Sequence, residues 1–275
     1  MKILLAISGF PSSAPTINFA RMLAEAAGAS VTVINVIEDR GQIQASETIL
    51  EEARQELANL EVHTVTAVGP AIGEILRHAS EGAHDLVVLG AREQPTLSEQ
   101  LLGSVARRIV AESPVSVLVV RGERSSLSKV LICTSGKEYS MPAIEAGLGF
   151  ARASQAFAAL LYVVMPAASM YTGLKQMDEQ LSDLLRTDTP ESRHLHQAAE
   201  AMEAAGIQGE LKLRHGAIVD EILREARAED YDLIVLGASL RRPLESLLLG
   251  EVTRQVLDRA LRPVLVVRKR SGAMP

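Results

Sequence analysis

The heptapeptide DLVVLGA at 85 to 91 returns as DLIVLGA at 232 to 238, and a chain that repeats itself this closely builds one unit twice. At that offset of 147 the register runs on without a gap, pairing Gly103 with Gly250, Val105 with Val252, Arg107 with Arg254, and VLVVR at 117 to 121 with VLVVR at 264 to 268. Between residues 85 to 121 and 232 to 268, 17 of 37 positions are identical. Upstream, the same offset pairs Gly69 with Gly216 and EILR at 74 to 77 with EILR at 221 to 224. Near the two starts the offset is 127, laying KILLAISG at 2 to 9 on KVLICTSG at 129 to 136, Ser13 on Ser140 and Pro15 on Pro142. The second copy therefore carries 20 extra residues, placed near 166 to 190. The expected domains are 1–122 and 129–270, joined by a polar linker, GERSSLS, at 122 to 128. Two units fit a chain of 275 residues, since each is long enough to bury its own core.

Each copy alternates strand-like and helix-like stretches. In the first, apolar runs stand at 3 to 7, 31 to 37, 62 to 68, 86 to 89 and 115 to 120. Between them Ile49, Leu50, Ala53, Leu57 and Leu60 share one helical face, which Ser46 is placed to cap, and Ile72, Ile75, Leu76 and Ala79 share another. Such alternation predicts a parallel sheet with right-handed crossovers and helices on both faces. With no Trp and only 3% aromatic residues the core must be aliphatic, as doubly covered parallel strands are. The fold class expected is α/β: two tandem five-stranded parallel-sheet domains.

Charge narrows the partners. A net charge of -6 gives no positive field for phosphate backbones or anionic membranes, so neither nucleic acid nor a membrane is expected. The longest N-terminal apolar stretch is too short for a signal peptide, and the single cysteine, Cys133, permits no intrachain disulfide. A cytoplasmic location is expected, with Cys133 a small buried hydrophobe inside a strand.

In open α/β sheets ligands sit beyond the carboxyl ends of the strands where the winding reverses, which directs attention to the loops after strands one and four. The first is Ser8-Gly9-Phe10. The second begins at Gly90, and Gly103 with Ser104 opens the next helix, Val105 and Ile109 being assigned to its inner face. A helix start presents unpaired N–H groups and a partial positive charge, and a glycine there lets a phosphate approach the backbone. Ser104 either adds a hydroxyl donor or merely caps its own helix; the residues alone leave both open.

The tandem layout, the DLVVLGA strand, the LLGSVARRIV helix and the closing VLVVR are similar to the universal stress protein family, and the likeness runs through nearly the whole chain twice. The resemblance implies an adenine nucleotide alpha hydrolase-like sheet of order 3-2-1-4-5, and a homo-oligomer, in the first place a dimer, or an internal pseudo-dimer. In one branch it implies ATP held by Gly-x2-Gly-x9-Gly-Ser/Thr with an Asp after strand one. The first copy reads Gly90-x2-Glu93-x9-Gly103-Ser104, with Ser8 in place of Asp; the second reads Gly237-x2-Leu240-x9-Gly250-Glu251, with Ser135 in place of Asp. The implied site in domain 1 is Ser8, Gly9, Phe10, Val36, Gly90, Glu93, Gly103, Ser104 and Val105, for ATP or another adenine nucleotide with or without magnesium. In the second copy Glu251 puts a carboxylate where a phosphate would lie, at a cost of about 4 kcal/mol for charges roughly 4 Å apart.

Other constellations are weaker. Ser8-Gly9 distantly resembles the loop of PP-loop ATP pyrophosphatases, but Phe10 and Ser12 break the pattern. The six histidines show no metal-ligand spacing and read as solvated; Arg107 and Arg108 read as a solvent-facing pair. Met170, Leu174, Met177, Leu181, Leu184 and Leu185 of the extra segment form a helical stripe expected to pack on a core. No catalytic spacing stands out. The expectation is a non-enzymatic stress-response binding module, against two alternatives: an interaction protein without nucleotide, and a slow ATP hydrolase.

Overall fold

The computed structural model describes residues 1–91, 102–137, 140–165, 181–238 and 250–268. Glu93, Leu240, Met170, Leu174 and Met177 lie outside them. In the first half the chain runs β1 (Lys2–Ile7), α1 (Ala14–Ala27), β2 (Ser30–Ile37), α2 (Ile43–Glu56), β3 (Val62–Val68), α3 (Ala71–Glu81), β4 (Leu86–Gly90), α4 (Ser104–Glu112) and β5 (Ser116–Val120). The second half repeats it as β6 (Lys129–Thr134), α5 (Met141–Ala153), β7 (Phe157–Val164), α6 (Leu181–Leu185), α7 (Pro190–Ala204), β8 (Gly209–His215), α8 (Ile218–Ala228), β9 (Leu233–Gly237), α9 (Glu251–Arg259) and β10 (Val264–Val267).

The strands form one sheet of ten in the order β3-β2-β1-β4-β5-β10-β9-β6-β7-β8. Each half keeps the expected 3-2-1-4-5 order with parallel neighbours. The two five-stranded sheets, expected to pack as an internal pseudo-dimer, join edge to edge through an antiparallel pair, Val264 opposite Val119, Leu265 opposite Leu118 and Val266 opposite Val117. The reason is that an exposed apolar edge is a liability, and the repeated VLVV strands close each other's. Alternate residues of each strand then feed two cores that run on through both halves. Ile3, Leu5, Leu118 and Leu265 face one, and Leu4, Val117, Val119 and Val266 the other.

The closing arginines of the two VLVVR runs lock this seam. Arg268 donates through Nη2 to the carbonyls of Val110 and Ala111, at 2.9 and 2.6 Å, on the last turn of α4 in the opposite half. Arg121, buried, reaches Ala260 O beyond α9 in return. A guanidinium at a helix C-terminus satisfies orphan carbonyls and meets the negative dipole end. Burial lowers the Arg268 pKa, but the group remains charged. Arg107, expected to face solvent, also crosses the seam, its Nη2 donating to Asp258 Oδ1 at 2.8 Å. Arg268→Ala is expected to cost about 2 kcal/mol, the value of charge-assisted bonds to buried carbonyls, as a fall in urea-unfolding free energy; an unchanged midpoint would deny the seam this role.

Several local expectations are corrected. Ser46 lies inside α2, buried, and its hydroxyl bonds Thr66 Oγ1 at 2.9 Å; the chain enters that helix through a 3-10 turn at Arg40–Gln42. His84 and His194 are buried rather than solvated, His84 Nδ1 lying 2.9 Å from His78 O and His194 Nε2 2.8 Å from Thr134 Oγ1. Cys133 is buried in β6 as expected, and desolvation pushes its thiol far up. In the extra segment α6 buries Leu184 against the core.

At the outer edge of the second half, Glu225 of α8 accepts from Lys212 Nζ at 2.7 Å and from Arg214 Nε and Nη2 at 2.9 and 2.6 Å, pinning β8 to its helix. Burial raises the carboxyl's pKa, but the bonds from Lys212 and Arg214 outweigh it and hold the group below the usual carboxylate range. A folded pKa below the unfolded one gives stability that is complete above about pH 4.3 and is lost as pH falls through the lower folded value. Glu225→Gln is expected to flatten the acid limb of the stability profile between about pH 5 and 3; a parallel profile would show that the pair contributes nothing there.

Candidate functional site

In the first half the helices divide between the two faces. Residues of α1 and α2, such as Ile17, Leu23, Leu50 and Ala53, pack in one core; Ile75 and Ala79 of α3 with Ala106 and Ile109 of α4 pack in the other. The chain therefore leaves β1 toward one face and β4 toward the other. These strands are neighbours, Ala6 standing opposite Leu89, so their exits open a crevice at the carboxyl end of the sheet. That is where the sequence directs attention.

On the β1 side, Ser8 is exposed and Gly9 buried. Gly9 takes φ +119°, open to glycine alone, and an added Cβ would lie 3.2 Å from Ile49 Cδ1 of α2. The loop is held by Ser13, whose Oγ accepts from Ser8 N at 3.1 Å, and by Ser12, whose Oγ donates to Gly9 O at 3.0 Å. Phe10 is partly buried on the α1–α2 side, where it packs against the core. Beneath the loop Asn35 of β2, buried, donates through Nδ2 to Ile7 O at 2.9 Å.

On the β4 side, Gly90 is half-buried, and a Cβ there would fall 2.7 Å from Thr16 Oγ1. The glycine lets α1 close over the end of β4. Gly103 is the N-cap of α4 and no side chain caps it, so Ser104 is the first helical residue and not a cap for its own helix. Ser104 is exposed, and so is Val105, at 40%, which corrects its assignment to the inner face; Ala106, Ile109 and Val110 take that face. Val36 is half-buried near the end of β2, packed in the α3–α4 core. Ser8, Gly9 and Gly90 thus come together at the exits of adjacent strands, with Phe10 directed to one face and Val36, Gly103, Ser104 and Val105 to the other; Glu93 lies outside the described residues. Ser13, Thr16 and Asn35 support the crevice without having been singled out for it.

The second half repeats the frame with different contents. Ser135 N donates to Ser140 Oγ at 3.3 Å, matching Ser8 and Ser13, but Tyr162 stands where the first half has Asn35. A Cβ on Gly136 would meet the Tyr162 ring at 2.8 Å, so the aromatic side chain covers this loop. Gly250 caps α9 without a side-chain bond. Glu251 does not turn onto the helix's N–H groups, as its position suggested: it accepts from Arg254 Nη2 at 2.6 Å and Gln255 Nε2 at 2.7 Å. Those bonds hold its pKa below the carboxylate range, so the group is ionised but partly neutralised. Because β5 and β10 are antiparallel, the two crevices open at opposite ends of the common sheet.

Two five-stranded halves of one continuous sheet, each wound on both faces and each with a switch-point crevice, define a tandem doubly wound α/β protein. The model of the universal stress protein family matches residues 1–121 and again 127–268, and the chain belongs to that family. It is 30% identical over 153 residues to universal stress protein MJ0531 of Methanocaldococcus jannaschii, an alignment spanning 55% of this chain and 88% of the relative. It is likewise 30% identical over 146 residues to universal stress protein YxiE of Bacillus subtilis, spanning 51% and 99%. A universal stress protein of Archaeoglobus fulgidus superposes over 98% of both chains with a TM-score of 0.75 at 16% identity, a likeness of fold. Among the described residues no helix is long and apolar enough to cross a membrane, and no cluster of His, Cys, Asp and Glu has the makings of a metal centre.

Proposed function

We propose that this universal stress protein is a non-catalytic, cytoplasmic stress-response module, made of domains 1–122 and 129–270, whose first half holds one adenine nucleotide. The observation that carries the reading is the uncapped start of α4, Gly103 followed by exposed Ser104, in the helix that follows β4, the strand paired with β1. Such a start offers N–H donors and a positive dipole end to phosphate, and Ser104 adds a hydroxyl. Ser8, Gly9 and Phe10 bound the other side, Val36 and Val105 offer apolar contact, and Glu93 is included by its place in the motif alone. The intact Gly90-x2-Glu93-x9-Gly103-Ser104 spacing supports the same site. The second half is structural: Tyr162 covers its loop, and Glu251 keeps a carboxylate at the helix start.

Calorimetry with ATP, with and without magnesium, tests the reading. Heat of binding without turnover is the expected outcome. Turnover on adding magnesium would replace the module by a slow hydrolase, and no heat at all by an interaction protein without nucleotide.

A further inference from the structure

At the seam between the halves, away from both crevices, a cavity of about 320 Å³ opens between the C-terminal end of α1 and the middle of α5. Ala27 and Leu86 of the first half face Ala146, Gly149, Phe150 and Leu265 of the second across it. The duplication shows why it is there. By the offset of 127, Ala146 and Gly149 correspond to Phe19 and Met22, and on that side of the seam Phe19 is buried and Met22 packs against the core. The second copy replaces two large side chains by the two smallest, and a Cβ on Gly149 would touch nothing within 4 Å.

We propose that this seam cavity binds a small, uncharged, largely apolar molecule, one per chain. Its two polar wall residues already serve the fold: Asp85 Oδ2 accepts from Lys2 N at 2.7 Å, and Ser116 Oγ accepts from Arg268 N at 3.2 Å. Recognition therefore comes from shape and from removing apolar surface from water, and the Asp85 carboxylate in the wall disfavours anions, fatty acids among them. In size, an enclosed dry cavity of about 150 Å³ admits benzene, and this pocket, about twice as large and open on one side, has room for a fused bicycle. Pockets of this kind, mostly apolar and set between domains, are the usual form of small-molecule sites. Continuity with the β5–β10 seam makes the ligand a clamp on the two halves, since binding to the folded state alone stabilises it.

Indole serves as the probe, read by saturation-transfer NMR and calorimetry on the full chain. The native protein is expected to bind one equivalent and to unfold at higher temperature with indole present. Gly149→Met, which restores the residue found at the matching position, should weaken binding by about tenfold or more. Gly149→Ala should leave affinity within about twofold, because one methyl occupies little of the space. If Gly149→Met fails to give the native circular dichroism spectrum, Ala27→Leu narrows the opposite wall and carries the same expectation. No binding by the native chain, or equal binding by Gly149→Met, would overturn the proposal. Competition by ATP would overturn it too, since the nucleotide crevice lies at the other end of β1 and β4.

Discussion

Leu118→Asp is expected to remove about 5 kcal/mol of stability, as much as the whole stability of a protein at the low end of the ordinary range. Leu118 is 1% exposed, pairs with Leu265 across the only antiparallel junction among the described strands, and belongs to a core shared by both halves. Losing the leucine forfeits about 2 to 3 kcal/mol of apolar burial, and the carboxyl that replaces it must be buried without a partner or protonated at further cost. Thr64→Asp on the exposed edge strand β3 is the control, expected to change stability by less than about 0.5 kcal/mol. Urea unfolding followed by circular dichroism gives both values. A Leu118→Asp chain within about 1 kcal/mol of the parent would mean that the halves fold without their common seam.

Ser104→Glu is expected to weaken adenine-nucleotide binding about thirtyfold, equivalent to roughly 2 kcal/mol. The substitution copies Glu251 onto the first half, but its surroundings differ. In α9 the carboxylate is met by Arg254 and Gln255, whereas the matching Arg107 is bound to Asp258 across the seam and Arg108 is paired with Glu112. A glutamate at 104 thus keeps more of its charge facing a phosphate than Glu251 does. The full repulsion of about 4 kcal/mol at an effective dielectric of 20 is reduced by solvent at this exposed helix start, which brings the expectation to about half. Ser104→Ala, which removes only a hydroxyl, should cost about 1 kcal/mol. Affinities by calorimetry decide it: an unchanged Ser104→Glu would place the nucleotide elsewhere.

Much of the architecture is legible in the residues because the duplication and the apolar runs both report burial. A strand covered on both faces must be apolar throughout, so Val31 to Ile37 or Leu86 to Leu89 can hardly be anything else. The matching VLVVR endings mark two equivalent edges, and edges of that kind pair. What escapes is whatever depends on tertiary direction. Val105 follows the helical period but sits on the first turn of α4 and is left exposed. Arg107 and Arg268 look like surface residues until the seam brings them to Asp258 and to the end of α4. His194 and Ser46 are polar residues on core-facing sides of helices, satisfied by Thr134 and Thr66 from distant strands. In the crevice the glycines and Ser8 follow from the switch-point rule and from the family resemblance, while Asn35 and Thr16 act through contacts that no local pattern encodes. Ser13 had a visible signal in its identity with Ser140, and both accept from the loop N–H five residues earlier.

The two crevices differ in their contents, and counting bound nucleotides measures that asymmetry most directly. Native mass spectrometry of the full chain titrated with ATP is expected to saturate at one nucleotide per chain, with Ser104→Glu shifting the curve and Tyr162→Asn leaving the first site untouched. Two equivalent nucleotides per chain, or one that Ser104→Glu does not affect, would contradict the assignment of the site to the first half.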